Sequence, residues 1–87
     1  MSKKANEDMT SLEMMEDKKI LFAAMHERGA KQAQLAHKLG MQQASLSGNM
    51  NRTRIGLEVF TKILNALDYD VVVTDRATGE NVWKVKI

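Results

Sequence analysis

The side chains of this sequence that could perform covalent or metal chemistry are few and scattered. There is no cysteine, so disulfides and thiolate zinc sites are excluded. His26 and His37 are lone histidines with no paired carboxylate at metal-ligand spacing. Ser45 and Ser47 lack the G-x-S-x-G turn that exposes a nucleophilic serine in hydrolases. We therefore expect no catalytic residue, no metal site and no cofactor, and we do not expect an enzyme.

The central segment QAQLAHKLGMQQASLSGNM, residues 32–50, reads as two short helices joined by a tight turn. Leu35 and Leu39 repeat at helical spacing and predict an apolar face for a first helix over residues 32–39. Gly40 follows directly. A glycine just after the last periodic residue indicates a helix end in the left-handed conformation, where a side chain would be strained.

The second helix of this segment is predicted to open at Gln42. Met41 would give the turn an apolar plug, and Leu46 would pack back on Ala36, whose small side chain lets two steeply crossing helices approach. Gly48 costs a helix about 1 kcal/mol relative to alanine. It therefore indicates that the second helix is short.

Four residues of this segment carry a resemblance to a known family: Gln32, Ala36, Gly40 and Leu46. Their order and spacing resemble the helix-turn-helix of the Cro and phage-repressor (XRE-type) DNA-binding family, and KLGMQQASL is especially similar to the repressor form. The resemblance covers residues 18–67, with a weaker similarity to the C-terminus of small dimeric HipB-like antitoxins. The family usually has a large apolar residue where this chain has Asn49. Either Met50 takes that packing role or the second helix ends early.

Length and pattern divide the chain into three parts. Residues 1–9 are polar and without period, so we expect a disordered tail. For residues 10–69 the resemblance implies a mainly α, four- to five-helix repressor-like helix-turn-helix domain. After residue 70 the period changes to two, and DVVVT and NVWKVKI flank the turn-like DRATGE. This pattern predicts a C-terminal β-hairpin over residues 71–87.

Two further helices are predicted on either side of the central segment. Thr10 and Glu13 form a T-x-x-E capping box, which predicts a helix start at Thr10. The family's equivalent helix begins near Asp17, so residues 10–28 could form one helix or two. The apolar positions of this region are Leu12, Met15, Ile20, Leu21, Phe22 and Met25. A later helix over residues 56–67 has the apolar positions Leu57, Phe60, Ile63, Leu64 and Leu67.

The hairpin is predicted to be the principal dimer interface. Trp83 and Ile87 share one face of the second strand, because side chains alternate along a strand. A lone two-stranded hairpin is marginal in water and must pack on something, and in HipB-like relatives this region helps to form the dimer. We therefore expect a homodimer whose interface contains Val71, Val73, Trp83, Val85 and Ile87.

Charge is distributed unevenly along the chain. The net charge is only +2. Residues 7–17 nevertheless contain five carboxylates and no base, whereas residues 28–62 contain six bases against the single acid Glu58. A segment of +5 attracts phosphate by counterion release. A solvated basic face is the alternative interpretation. Because the basic segment coincides with the central segment, DNA binding is favoured.

The resemblance implies a role for individual residues of this segment. In the family the second helix enters the major groove, where a glutamine amide can pair with the N6 and N7 edge of adenine at two points. The residues implied to read bases are Gln43 first, then Gln42, Ser45 and Ser47. Gln32 matches a residue that braces the base reader and touches phosphate. The side chains best suited to further phosphate contacts are Lys31, Arg52 and Arg54.

These observations predict a sequence-specific DNA-binding transcriptional regulator, a repressor that binds a palindromic operator in double-stranded DNA as a homodimer. The alternatives are an antitoxin that also binds a toxin protein, and a protein-binding inhibitor that uses a helix-turn-helix scaffold. No apolar run reaches the roughly 18 residues of a membrane span, and the first ten residues lack a signal-peptide pattern. We expect a cytoplasmic, nucleoid-associated protein with no membrane partner.

Overall fold

The computed structural model describes residues 14–87, which form four helices and one two-stranded antiparallel sheet. In chain order the elements are α1 (Asp17–Arg28), α2 (Gln32–Leu39), α3 (Gln43–Met50), α4 (Leu57–Ala66), β1 (Val72–Thr74) and β2 (Asn81–Lys84). The prediction of a mainly α chain with a C-terminal β-hairpin is confirmed. None of the helices in this part of the chain combines the length and the apolar character that crossing a bilayer requires.

The first helix begins later than its capping box predicts. Residues 14–16 are not helical, and α1 starts at Asp17, with Glu16 before it in an extended conformation. A single helix from Thr10 to Arg28 is therefore wrong. Met14 is almost fully exposed, so a helical turn there would bury no apolar surface against the core. The capping box itself and the tail expected over residues 1–9 lie outside the described residues.

A left-handed residue ends α2 and sets the short connection to α3. Gly40 has a φ of 69°. Its N–H donates to the carbonyl of His37 at 3.1 Å, and the N–H of Met41 donates to that of Ala36 at 3.0 Å. These two bonds satisfy carbonyls that the helix end leaves without partners. As a result only residues 40–42 separate the two helices, one residue more than a second helix opening at Gln42 predicts.

The end of α4 uses the same geometry without a glycine. Asp68 has a φ of 67°. Its N–H donates to Asn65 at 3.0 Å, and the N–H of Tyr69 donates to Leu64 at 2.8 Å. A left-handed aspartate is strained relative to glycine, so contacts from elsewhere in the chain must hold this turn in place.

One core lies between the four helices. Its buried apolar residues are Leu21, Ala24, Met25, Leu35, Ala36, Leu46, Met50, Ile63, Leu64 and Leu67. Leu46 and Ala36 belong to the same cluster, as their spacing predicts. Met50 is also fully buried, while Asn49 is half-buried. Met50 therefore takes the packing role that Asn49 cannot fill.

Two predicted apolar positions are not core residues. Phe22 is 38% exposed, because the buried side of α1 is centred on Leu21 and Met25 and Phe22 lies at its edge. Leu57 is 60% exposed, because it is the first residue of α4, where the packed part of the helix has not yet begun. Both leave apolar surface in contact with solvent.

The hairpin closes over residues 75–80 and contains a bulge. Trp83 is paired with Val73, but Thr74 is paired with Asn81, so Val82 is an extra residue on β2. The N–H of Val85 donates to Val71 at 2.7 Å and extends the ladder by one bond. The regular strands are thus shorter than the predicted span of residues 71–87.

The hairpin packs on the helices only at its base. Val71 is half-buried against the core, and Val85 beside it is half-buried too. Farther out on the same face Trp83 is 69% exposed, Val73 46% and, beyond the strand, Ile87 50%. No residue of the described part of the chain, residues 14–87, therefore covers this apolar face.

Candidate functional site

The start of α3 presents polar side chains to solvent. Gln42 is the residue before the helix rather than its first residue, and its carbonyl accepts the first helical bond from Leu46 at 3.0 Å. Gln43 is the first residue of the helix and Ser45 the third. All three polar side chains are exposed. The first turn of α3 therefore brings together three of the four residues implied to read bases.

Ser47, the fourth of these residues, is less open. It is half-buried, and its carbonyl accepts two bonds from Asn51, one from the N–H at 3.1 Å and one from Nδ2 at 2.8 Å. Its backbone thus ends the helix. On this geometry Ser45 is better placed than Ser47 to meet another molecule.

The outward face of α3 is made of small residues, which inspection of polar residues alone does not reveal. Leu46 and Met50 point into the core, and a period of 3.6 places Ala44 and Gly48 on the opposite side. Both are exposed, and a Cβ added to Gly48 would meet no atom within 4 Å. The helical period of the two buried residues is the signal that would have found this face.

Two of the six bases of residues 28–62 donate hydrogen bonds to backbone carbonyls at the end of α4. Arg28 donates from Nε to the carbonyl of Leu67 at 2.9 Å and from Nη2 to that of Asp68 at 3.2 Å. Lys38 donates from Nζ to the carbonyl of Ala66 at 2.7 Å. Cations at the carbonyl end of a helix also interact favourably with its dipole. Arg28 and Lys38 therefore cap α4 and hold its left-handed end.

The other four bases are on the surface. Lys62 lies 3.9 Å from Glu58 one helical turn away, with both side chains more than half exposed. The side chains of Lys31, Arg52 and Arg54 are exposed and form no ion pair with any carboxylate of residues 14–87. Lys31, Arg52 and Arg54 are also the three side chains that the sequence predicts to contact phosphate.

The start of α2 carries the remaining predicted site residues. Lys31 precedes the helix, and its N–H donates to Oε1 of Gln34 at 3.3 Å. Gln32 is the first helical residue and is half-buried. Among the described residues it makes no hydrogen bond with Gln43, so the bracing of Gln43 by Gln32 stays a prediction about the complex.

The segment that leaves α3 carries Arg52 and Arg54. Residues 51–56 are neither helix nor strand, so α4 begins one residue later than the helix predicted over residues 56–67. The N–H of Arg52 reaches the carbonyl of Asn49 at 3.4 Å, and the N–H of Ile55 donates to Oδ2 of Asp17 at 3.3 Å. The loop is therefore attached to the start of α1.

The site contains amides, hydroxyls and cations, and within residues 14–87 no three His, Asp or Glu side chains are grouped as a metal site would require. Such groups can donate and accept hydrogen bonds and neutralise phosphates. No family model, curated protein or solved structure matches this chain.

Proposed function

We propose that this chain is a sequence-specific DNA-binding transcriptional regulator whose α2 and α3 form a helix-turn-helix of the Cro and phage-repressor type. The observation that carries the proposal is the first turn of α3. Its exposed Gln42, Gln43 and Ser45 stand on a helix that Leu46 and Met50 anchor in the core. Hydrogen-bonding groups that a core holds in fixed positions are what base reading requires.

The outward face of α3 fits a groove well. The major groove of B-DNA is about 12 Å wide and admits one helix of about 10–12 Å diameter. Small side chains at Ala44 and Gly48 reduce the diameter of the helix on the side opposite the core. The backbone of α3 can therefore come close to base edges, and Gln42 and Gln43 at the start of the helix can reach them.

The surface cations supply the contacts that carry no sequence information. Lys31 at the start of α2, and Arg52 and Arg54 after α3, flank the two helices in the sequence. Exposed bases on loops can meet the DNA backbone and fix the register of the helix in the groove. Gln32, at the first position of α2, remains the proposed phosphate contact nearest to Lys31.

Homodimerisation through the hairpin is part of the proposal. The face of Val73, Trp83 and Ile87 is exposed in the single chain, and aromatic side chains are enriched where proteins meet. A two-fold axis through this face would present two copies of α3 to a palindromic operator, with half-sites one helical turn apart. Such a regulator would act in the cytoplasm, on the nucleoid.

A binding-site selection from random duplexes tests the function. The wild-type chain should enrich a palindromic sequence. Gln43→Ala should relax one position in each half-site, because losing a bidentate amide pair costs about 1–3 kcal/mol against the preferred base. Its melting temperature should hardly change, because the residue is exposed.

Gln34→Ala is the matched control. Gln34 is also an exposed glutamine, but it belongs to α2 and bonds to the backbone of Lys31. Its removal should leave the selected sequence unchanged. If Gln43→Ala keeps the full sequence preference, Gln43 does not read bases. If the wild type enriches no sequence and binds no duplex at low salt, the proposal is wrong, and a protein-binding inhibitor becomes the better reading.

A further inference from the structure

We infer that Asp17 is a positioning residue for DNA binding: it holds the loop of residues 51–56 so that Arg52 and Arg54 meet the phosphate backbone. The inference rests on the proposed function. It assigns a binding role to a carboxylate, a group that by charge alone repels DNA. Asp17 would act through the loop and would not touch the ligand.

The carboxylate of Asp17 connects two parts of the chain that are far apart in sequence. Its Oδ1 accepts from the N–H of Lys18 at 2.6 Å, which fixes the carboxylate on the first turn of α1. Its Oδ2 accepts from the N–H of Ile55 at 3.3 Å. Hydrogen bonds to an ionised acceptor are the stronger kind. Asp17 and Ile55 are both half-buried, so water competes less for this bond than at an open surface.

The loop has little else to hold it. Arg52, Thr53 and Arg54 are exposed, and the bond from Arg52 to Asn49 is long at 3.4 Å. Among the described residues, residues 53–55 make no hydrogen bond other than the one to Asp17. The side chain of Ile55 adds an apolar contact with the core. Because Arg54 directly precedes Ile55, the anchored N–H fixes the direction in which the loop carries its arginines.

The sign of the effect separates positioning from simple charge. Removing a carboxylate near a phosphate-binding surface removes repulsion and should strengthen DNA binding. Releasing the loop should weaken binding, because the loop backbone that the bond no longer holds must be ordered on association. If Asp17 positions the loop, Asp17→Ala lowers affinity even though the chain becomes more positive.

The test measures the affinity of four chains for the duplex that the wild type selects. Asp17→Ala should bind about two- to tenfold more weakly than the wild type, the range expected when part of the backbone order of one loop residue is lost. Asp17→Asn keeps one side-chain oxygen, which can accept from the N–H of Ile55 or from that of Lys18 but not from both, and should restore part of the affinity. Glu16→Gln is the matched control, because it removes one charge from the neighbouring exposed residue, which makes no hydrogen bond to the loop. It should bind as tightly as the wild type or tighter.

Two further readouts exclude a merely structural effect. In an Arg52→Ala, Arg54→Ala background, Asp17→Ala should weaken binding no further, because the side chains that it positions are gone. In the protein without DNA, hydrogen exchange at the amide of Ile55 should be faster in Asp17→Ala than in Glu16→Gln. All measurements are made well below the melting temperature of the least stable variant.

The outcomes distinguish this inference from the proposed function. If the wild type binds DNA and Asp17→Ala binds equally well or more tightly, the positioning role is overturned and the proposed function stands. An equal loss of affinity with and without the two arginines would also overturn it. A wild type that binds no duplex overturns both.

Discussion

Gly48→Ala should stabilise the folded chain, although most substitutions destabilise proteins. Gly48 lies inside α3, its φ is not in the left-handed region, and an added Cβ would meet no atom of residues 14–87 within 4 Å. Neither backbone conformation nor packing within the chain requires a glycine there. Glycine costs an exposed helix interior about 0.8–1.0 kcal/mol relative to alanine. The free energy of unfolding should rise by about that amount, and the melting temperature by about 4–8 °C for a domain of this size.

The measurement is thermal and urea denaturation followed by circular dichroism, with the urea m-value required to stay constant. Ala44→Gly is the matched control, because Ala44 lies one turn earlier on the same exposed face. It should lower the free energy of unfolding by a similar amount. If Gly48→Ala gives no gain while Ala44→Gly gives the expected loss, α3 is not helical at Gly48 in solution, or its Cβ position is occupied.

The same substitution connects stability with the proposed function. A glycine that the fold does not need lies on the side of α3 that faces away from the core. If that side enters the major groove, a methyl group at residue 48 keeps the backbone farther from the base edges. Gly48→Ala should then bind the selected duplex more weakly while it melts at a higher temperature. Unchanged affinity in the stabilised variant would show that the backbone does not come close to DNA at this position.

Two further predictions concern the core and the hairpin. Thr61 is fully buried, and its hydroxyl has no hydrogen-bond partner among residues 14–87. Thr61→Val should therefore raise the free energy of unfolding by about 1 kcal/mol, because an unsatisfied buried group is removed at nearly constant shape. A lower stability in denaturant titrations would contradict this. Trp83 is the only tryptophan and is 69% exposed in the single chain. Its fluorescence emission should shift to shorter wavelength as protein concentration rises, and Trp83→Ala should sediment as a monomer. A variant that stays fully dimeric would place the interface elsewhere.

A short stretch of sequence predicts a helix end when the residues that cause it lie within that stretch. Both ends of α2 follow from the spacing of Leu35 and Leu39 and from Gly40, because the apolar period and the left-handed turn lie within a few residues. The start of α1 does not follow in this way. A capping box is a local preference worth little without a buried face, and exposed Met14 offers none.

The end of α4 shows why other features could not be predicted. Asp68 adopts a conformation that favours glycine, and the local bonds to Leu64 and Asn65 do not by themselves require an aspartate there. Arg28, forty residues away, donates to its carbonyl at 3.2 Å and lies 4.0 Å from the centroid of the Tyr69 ring. A stabilising contact from so far along the chain is not visible in any short window of sequence.

For the proposed function, the sequence pattern and the tertiary structure differ most in how many bases of residues 28–62 are free to meet phosphate. The count of six bases against one acid is correct, but it does not show which bases already have a partner within the fold. Arg28 and Lys38 neutralise the carbonyl end of α4, and Lys62 has Glu58 beside it. The residues left to meet phosphate are Lys31, Arg52 and Arg54. With so few such contacts, much of the affinity of the proposed complex must come from base edges and from a loop held in the right place, which is why Gln43 and Asp17 carry the decisive tests.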